Sequence, residues 1–249
     1  MPAGDARLGR AARSAGVVDV QAVVLLLADG EPSGTGRQSP LTAAAARPLA
    51  RHLARAGRTD GLVTHTVRYR CRGWNGAAAH PVEDAAWAVD EAVRRYGDVP
   101  VCLAGTGMGG RAALLAAGHP AVNCVLALAP WLPAEGRRAP DPDPVGQLAG
   151  RRVLLVHGTN DARADPEQSF RFAERAKKAS RDVCRFEVHS AGHSMRQHRS
   201  EVFALAADFA LGSLSERGFS RPVRDALAAP PPLGLRMPLA AGFHTAPHH

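Results

Sequence analysis

The sequence predicts an α/β protein with a doubly wound parallel sheet of about six strands and helices on both faces. Short apolar runs recur along the 249 residues, and most of them are nearly continuous rather than alternating. Such runs are typical of strands buried on both faces, as in parallel sheets. Amphipathic segments of helical period separate the runs, which favours right-handed crossovers between parallel strands.

The apolar runs are the candidate strands. In chain order they are 19–28, 61–69, 99–105, 122–130, 151–158 and 183–190. A helix that spans a bilayer needs about 20 apolar residues. No run reaches that length, so we expect no membrane association.

Five segments between and after these runs are the candidate helices. They cover 41–57, 82–97, 109–119, 165–180 and 200–214. Gly57 and Gly97 are suited to ending the first two, and Pro166 is suited to the first turn of the fourth. Pro48 either kinks the first helix or begins its main part.

The two ends of the chain lack this patterning. Residues 1–16 are small, polar and dotted with arginine, and we expect a disordered N-terminal segment there. Residues 17–214 form the predicted α/β domain. Residues 215–249 are rich in proline and alanine without periodicity, which predicts a flexible tail.

Composition limits the classes of function. The formal net charge is +8, but the arginines are scattered rather than gathered on one stripe, so we expect no nucleic-acid partner. The four cysteines form no C-x-x-C pair and the N-terminus has no apolar signal segment, which favours a cytoplasmic protein. We expect no cofactor and no metal, and nothing indicates the oligomeric state.

Three glycine-containing loops follow candidate strands. They are AGTGMGG at 104–110, HGTNDARADP at 157–166 and SAGHSM at 190–195. Ligands of parallel sheets bind beyond the carboxyl ends of the strands. We therefore expect Gly107, Asp161 and His193 to lie at one rim of the sheet.

These motifs in this order resemble the α/β-hydrolase family in its compact, serine esterase-like form. The family has a G-x-S-x-G nucleophile elbow, followed in the chain by an acid and a histidine. The resemblance covers roughly residues 18–214, and Gly105, Gly109 and Gly110 match the glycines of the elbow. Only about twenty residues separate the fourth and fifth strands, which leaves room for a minimal cap.

The resemblance implies a role for each site residue. Asp161 would orient His193, although Asp165 is a competing carboxylate. The backbone N–H of Met108 would be one oxyanion donor. The other would come from the segment after the first strand, either Gly30 or Glu31, where Asp29-Gly30 replaces the usual His-Gly or Gly-Gly. The implied partner is a small-molecule substrate or ligand, possibly an ester.

The chain departs from the family at the nucleophile, because Gly107 has no side chain. Glycine takes the positive-φ conformation of an elbow at little cost, so the fold should survive, but serine-type covalent catalysis is lost. Three functions stay open. The protein is an impaired ester hydrolase, an enzyme that uses only His193 and Asp161 for water activation or for a lyase-like proton abstraction, or a binding protein without catalysis. In the second case, His193, Thr106 and the oxyanion N–H groups would hold a water where the serine hydroxyl is missing.

Overall fold

The computed structural model describes residues 4–12, 19–134 and 142–243. Their strands form one sheet in the order β1-β3-β2-β4-β5-β6-β7-β8. The strands are β1 Arg7–Leu8, β2 Ala22–Leu27, β3 Leu62–Arg68, β4 Val101–Thr106, β5 Val122–Leu128, β6 Arg152–Gly158, β7 Val183–Val188 and β8 Met237–Pro238. All neighbouring pairs are parallel except β1 with β3.

The predicted fold class is confirmed. The six long strands, β2 to β7, correspond to the six apolar runs, and all six residues of β2 are buried. β1 and β8 are two-residue additions at the edges. A strand covered by helices on both faces has no polar side, which is why the runs are continuous rather than alternating.

Helices cover both faces of the sheet. They are α1 Pro40–Ala45, α2 Arg47–Ala56, α3 His80–Tyr96, α4 Met108–Leu115, α5 Pro166–Ala179, α6 Arg199–Leu214 and α7 Arg221–Ala228. The buried residues of α3, α4 and α5 pack on one face of the sheet, and those of α2, α6 and α7 pack on the other. The predicted first helix is interrupted at Ala46, between α1 and α2. Pro48 therefore lies in the first turn of α2 rather than at a kink within one helix.

Both predicted ends of the domain are wrong within the described residues. Arg7–Leu8 pairs with β3, and Ala12 bridges to Thr64, where disorder was expected. Beyond residue 214 the chain forms α7 and then adds β8 beside β7. Val223 and Leu235 are fully buried in this segment. These pieces are too short to show a period in the sequence, and burial against the finished core orders them.

The carboxyl ends of the parallel strands form an open rim. Within the described residues, the connection from β5 to β6 carries only a 3₁₀ turn at Gly146–Leu148, in agreement with the predicted minimal cap. In the part of the chain that the structure describes, no helix is both long and apolar enough to cross a bilayer.

Candidate active site

The turn between β4 and α4 has the geometry of a nucleophile elbow. Gly107 stands between them with φ of 55°, in the region that favours glycine. A Cβ at Gly109 would overlap the backbone oxygens of Leu27 and Ala28, so α4 packs directly on the end of β2. The turn therefore presents residue 107 at the rim of the sheet.

The Asp29 carboxylate occupies the space in front of this turn. Asp29 follows β2, and its Oδ1 accepts hydrogen bonds from the backbone N–H groups of Met108 and Gly30, each at 2.9 Å. A Cβ built on Gly107 would overlap Asp29 Oδ1. The carboxylate thus stands where a side chain at position 107 would begin.

This arrangement takes up the two N–H donors that were expected to hold the water suggested by the sequence. Met108 and Gly30 were expected to hold a water or an oxyanion, and both N–H groups instead donate to Asp29. The N–H of Glu31, the alternative donor, is directed to the carbonyl oxygen of Arg72 at 3.1 Å. The Glu31 carboxylate forms an ion pair with Arg72 Nε at 3.1 Å.

His193 lies beside Asp161 at the same rim. The His193 Nδ1 atom is 2.7 Å from Asp161 Oδ2. Asp161 Oδ1 accepts the backbone N–H groups of Arg163 and Ala164 at 2.8 and 3.1 Å, which fixes the carboxylate. The competing Asp165 instead caps α5 through the N–H of Glu167. Asp161, not Asp165, is therefore the carboxylate that contacts the imidazole.

The other nitrogen of His193 faces Asp29. The distance from His193 Nε2 to Asp29 Oδ2 is 3.4 Å, which is longer than a good hydrogen bond. Nε2 is buried and has no hydrogen-bond partner among the described residues. Arg163 also reaches Asp29 Oδ2, at 3.1 Å. The imidazole is thus placed between two carboxylates.

These contacts shift the pKa values of all three groups. Burial lowers the pKa of His193, but the carboxylates of Asp29 and Asp161 outweigh burial and raise it above 6.5. Burial raises the pKa of Asp29, but His193 and the N–H donors outweigh burial and bring it below 3.8. The pKa of Asp161 is lowered as well: burial opposes the shift, and the N–H groups of Ala164 and Arg163 and the nearby His193 cause it.

Because of these shifts, both carboxylates are ionised at neutral pH, and His193 keeps its proton to a higher pH than a free imidazole does. The stability that His193 contributes is fully present below pH 6.5 and is lost as the pH rises through its raised pKa. The stability from the two carboxylates is present above pH 3.8 and is lost as the pH falls through their lowered pKa values. All three groups therefore support the fold together between these limits.

A buried chain of hydrogen bonds holds Asp161 from behind. Burial, followed by the charge of Arg185, lowers the pKa of His157 to about 4, so its ring is neutral. His157 Nε2 faces Asp161 Oδ2 and the carbonyl oxygen of Ala164, both at 3.1 Å and both acceptors, so Nε2 carries the proton. Nδ1 and the carbonyl oxygen of Pro166 then both face the Ser169 hydroxyl, at 2.9 and 2.8 Å, and share its one proton. Arg185 Nε donates to the same hydroxyl oxygen at 3.0 Å.

Replacing His157 by leucine should destabilise the fold. The variant His157→Leu removes the buried N–H group that faces Asp161 Oδ2 and the carbonyl oxygen of Ala164, and neither acceptor can reach water at this fully buried position. We expect the free energy of unfolding in urea to fall by about 2–4 kcal/mol. His157→Gln keeps an N–H group and should recover part of the loss. Equal stability of wild type and His157→Leu would contradict the hydrogen-bond chain.

Two cavities open onto Asp29 and His193. The first, which we call the apolar pocket, has a volume of about 340 Å³. Its apolar walls include Leu26, Leu49, Leu128, Met195, Val202 and Phe203. The second, the Trp131 pocket, has a volume of about 260 Å³ and is bounded also by Met108, Trp131 and Arg163. Among the described residues, no group of three or more His, Cys, Asp or Glu is arranged to hold a metal ion.

Asp29 is the site residue that sequence reasoning missed. The sequence placed Gly107, Met108, Gly30, Asp161 and His193 in the site, and the structure brings all five to one rim. The available signal was the Asp29-Gly30 pair, where the resemblance led us to expect His-Gly or Gly-Gly. Asp29 and Gly107 are far apart in the sequence but complementary in space, because the Asp29 carboxylate fills the room that a side chain at position 107 would need.

Comparison with known proteins supports the same fold. The profile of the prolyl oligopeptidase family matches residues 128–216, a segment that contains Asp161 and His193 but not the elbow. No curated protein matches the sequence.

Several solved structures are similar over most of the chain. An esterase of Pyrococcus furiosus aligns with a TM-score of 0.62 and 15% identity, covering 79% of this chain and 84% of the esterase. A thermophilic esterase of Thermogutta terrifontis with propionate bound gives 0.61 and 19%, covering 83% and 89%. An alpha-beta serine hydrolase homologue of Coxiella burnetii gives 0.56 and 17%, covering 83% and 97%. The chain therefore has the α/β-hydrolase fold, as its motifs predict.

Proposed function

We propose that this protein is a hydrolase of small molecules in which the Asp29 carboxylate replaces the serine nucleophile. One observation carries the proposal. Asp29 Oδ1 accepts both oxyanion-type N–H groups, while Oδ2 faces His193 Nε2. Oδ1 is thus fixed on two N–H groups, while Oδ2, which Arg163 also contacts at 3.1 Å, faces the imidazole, and Asp29 borders both pockets.

The nucleophile indicates the kind of bond that is broken. A carboxylate that attacked a carboxylic ester would form an anhydride, and the carboxylate would be expelled again before the more basic alkoxide. At a saturated carbon, the same oxygen displaces a leaving group in one step and forms a stable alkyl ester. We therefore propose substrates with a leaving group on a saturated carbon.

The first step forms the covalent intermediate. A lone pair of Asp29 Oδ2 forms a bond to the substrate carbon as the bond to the leaving group breaks, and the leaving group departs with that electron pair. Oδ1 stays on the N–H groups of Met108 and Gly30. The product of this step is an alkyl ester of Asp29, and no proton moves.

The second step hydrolyses the intermediate. Esterification removes the negative charge beside His193 Nε2, so the pKa of His193 falls and the neutral ring is favoured. The neutral ring then takes a proton from a water whose oxygen attacks Cγ of Asp29. The oxyanion forms on Oδ1, where the N–H groups of Met108 and Gly30 already point. Collapse expels the alcohol, which takes the first proton from His193. The new carboxyl group then gives the second proton of the water to His193, and this restores the carboxylate.

The fate of oxygen atoms tests this mechanism. A single turnover of 1-bromohexane in H₂¹⁸O should give hexan-1-ol whose oxygen is ¹⁶O from Asp29, while ¹⁸O enters the peptide that contains Asp29. The variant His193→Ala should accumulate a hexyl ester on Asp29, detectable by mass spectrometry. Asp29→Asn is the matched control and should give neither result.

The two other functions predict different outcomes. Direct attack by a water that His193 activates would put ¹⁸O into hexan-1-ol in the first turnover, and this would overturn the proposal. Hexan-1-ol formation no faster than with Asp29→Asn, together with no adduct in His193→Ala, would also overturn it and favour a binding protein. The assay is repeated with hexyl methanesulfonate, which has a better leaving group than 1-bromohexane. Turnover of this substrate alone would mean that bromide was a poor leaving group, and turnover of neither would mean that the nucleophile is missing.

A further inference from the structure

The apolar pocket combines buried apolar walls with two exposed cations. Leu26, Val202 and Met195 are at most 4% exposed, whereas Arg196 and Arg199 are exposed at the solvent side of the same pocket. His193 and Asp29 border the pocket with side chains only 12% and 23% exposed. The lining thus combines the reacting groups, apolar walls and two exposed guanidinium groups.

The two arginines have no anionic partner within the described chain. Neither Arg196 nor Arg199 forms an ion pair with a described residue, and the guanidinium of Arg199 lies 5.8 Å from the centre of the Phe203 ring. The one carboxylate in the lining is Asp29, which His193 and Arg163 already contact. Two guanidinium groups of the lining are therefore left without a carboxylate partner among the described residues.

We propose that the apolar pocket binds an amphipathic monoanion, a short alkyl chain that carries a carboxylate at its far end. The chain packs on the apolar walls, and the carboxylate accepts hydrogen bonds from Arg196 and Arg199. The proposal rests on the proposed function in one respect only, that the reacting carbon is the end of the chain held at Asp29. Binding of the anion itself needs no chemistry.

The binding test uses a ligand without a leaving group. Hexanoate should bind about threefold to fivefold more tightly than hexan-1-ol, because an ion pair with exposed guanidinium groups contributes roughly that factor. Hexylammonium should bind more weakly than either. The double variant Arg196→Ala/Arg199→Ala should remove the preference for hexanoate and leave the affinity for hexan-1-ol unchanged.

A matched variant controls for the loss of net charge. Arg181 and Arg224 are also exposed and form no ion pair with a described residue, and neither borders the apolar pocket. Arg181→Ala/Arg224→Ala lowers the net charge by the same amount and should keep the preference for hexanoate. If this control loses the preference as well, the general charge of the protein is responsible, and the proposal is overturned.

Methionine methyl groups report where the ligand binds. Met195 borders the apolar pocket, Met108 borders the Trp131 pocket, and Met237 lies in the edge strand β8. In protein labelled with ¹³C-methyl methionine, hexanoate should shift the Met195 resonance more than that of Met108 and leave that of Met237 in place. A dominant shift at Met108, or no preference for hexanoate over hexan-1-ol, would overturn the proposal.

The binding and turnover experiments can fail separately. Hexanoate bound at Met195 without transfer of oxygen from Asp29 would support the pocket and refute the mechanism. Oxygen transfer from Asp29 in the absence of any preference for the anion would support the mechanism and refute this substrate class.

Discussion

The double variant Asp29→Gly/Gly107→Ser is expected to react with a fluorophosphonate probe, whereas Gly107→Ser alone is not. In the single variant, the new Cβ overlaps Asp29 Oδ1, and the N–H groups of Met108 and Gly30 remain occupied by the carboxylate. Removing the Asp29 side chain clears both the space and the two donors. The serine hydroxyl would then lie near His193 Nε2, with Asp161 on the opposite nitrogen.

The expected gain is large because a serine, its base and its oxyanion donors act as a unit. Loss of the serine from such a unit costs about 10⁶-fold in turnover, so even an imperfect reconstruction should raise the labelling rate by roughly 10³-fold over either single variant. Serine at the φ of residue 107 is strained by about 1–3 kcal/mol, which lowers stability but leaves the reaction possible.

Two further measurements make this result specific. Adding His193→Ala to the double variant should abolish the labelling, because the hydroxyl loses its base. The stability of each variant in urea shows whether a lack of labelling reflects unfolding. Equal labelling of Gly107→Ser and the double variant would mean that Asp29 leaves the turn freely, contrary to the structure.

The central sheet could be predicted because each long strand is buried on both faces. The apolar runs identify β2 to β7, and the glycines of the elbow identify the turn into α4, since those signals are local in the sequence. The edge strands could not be predicted in this way. Arg7–Leu8 and Met237–Pro238 are two residues long, and only their pairing with finished strands makes them part of the sheet.

Part of the site could be predicted from the sequence for the same reason. Asp161 and His193 follow strands in loops whose glycines mark them, and parallel topology brings such loops together. Asp29 also follows a strand, but its role depends on Gly107, which lies 78 positions further along the chain and has no side chain. No local sequence pattern predicts this pairing. It is visible only in the folded protein, where the N–H groups of Met108 and Gly30 hold the Asp29 carboxylate at the elbow.

The variant Asp29→Asn should both stop turnover and lower the pKa of His193. The amide has nearly the same shape, but it is a poor nucleophile and carries no charge, so hydrolysis of 1-bromohexane should fall by roughly 10³-fold or more. Burial still lowers the pKa of His193, and of the two carboxylates that raise it only Asp161 remains. The pKa, measured by ¹⁵N NMR of the imidazole, should therefore shift downward from the wild-type value.

The paired readout separates a catalytic role for Asp29 from a purely structural one. If Asp29 only fills the space at the elbow, Asp29→Asn should change the pKa of His193, but wild type and variant should show the same lack of turnover. Arg163→Gln is the matched control: it removes the other contact to Oδ2 while leaving the carboxylate on the N–H groups of Met108 and Gly30. That variant should keep turnover, because an exposed ion pair contributes little and its loss frees the attacking oxygen. Turnover that survives Asp29→Asn but is lost in Arg163→Gln would show that Arg163, and not Asp29, is required for the reaction.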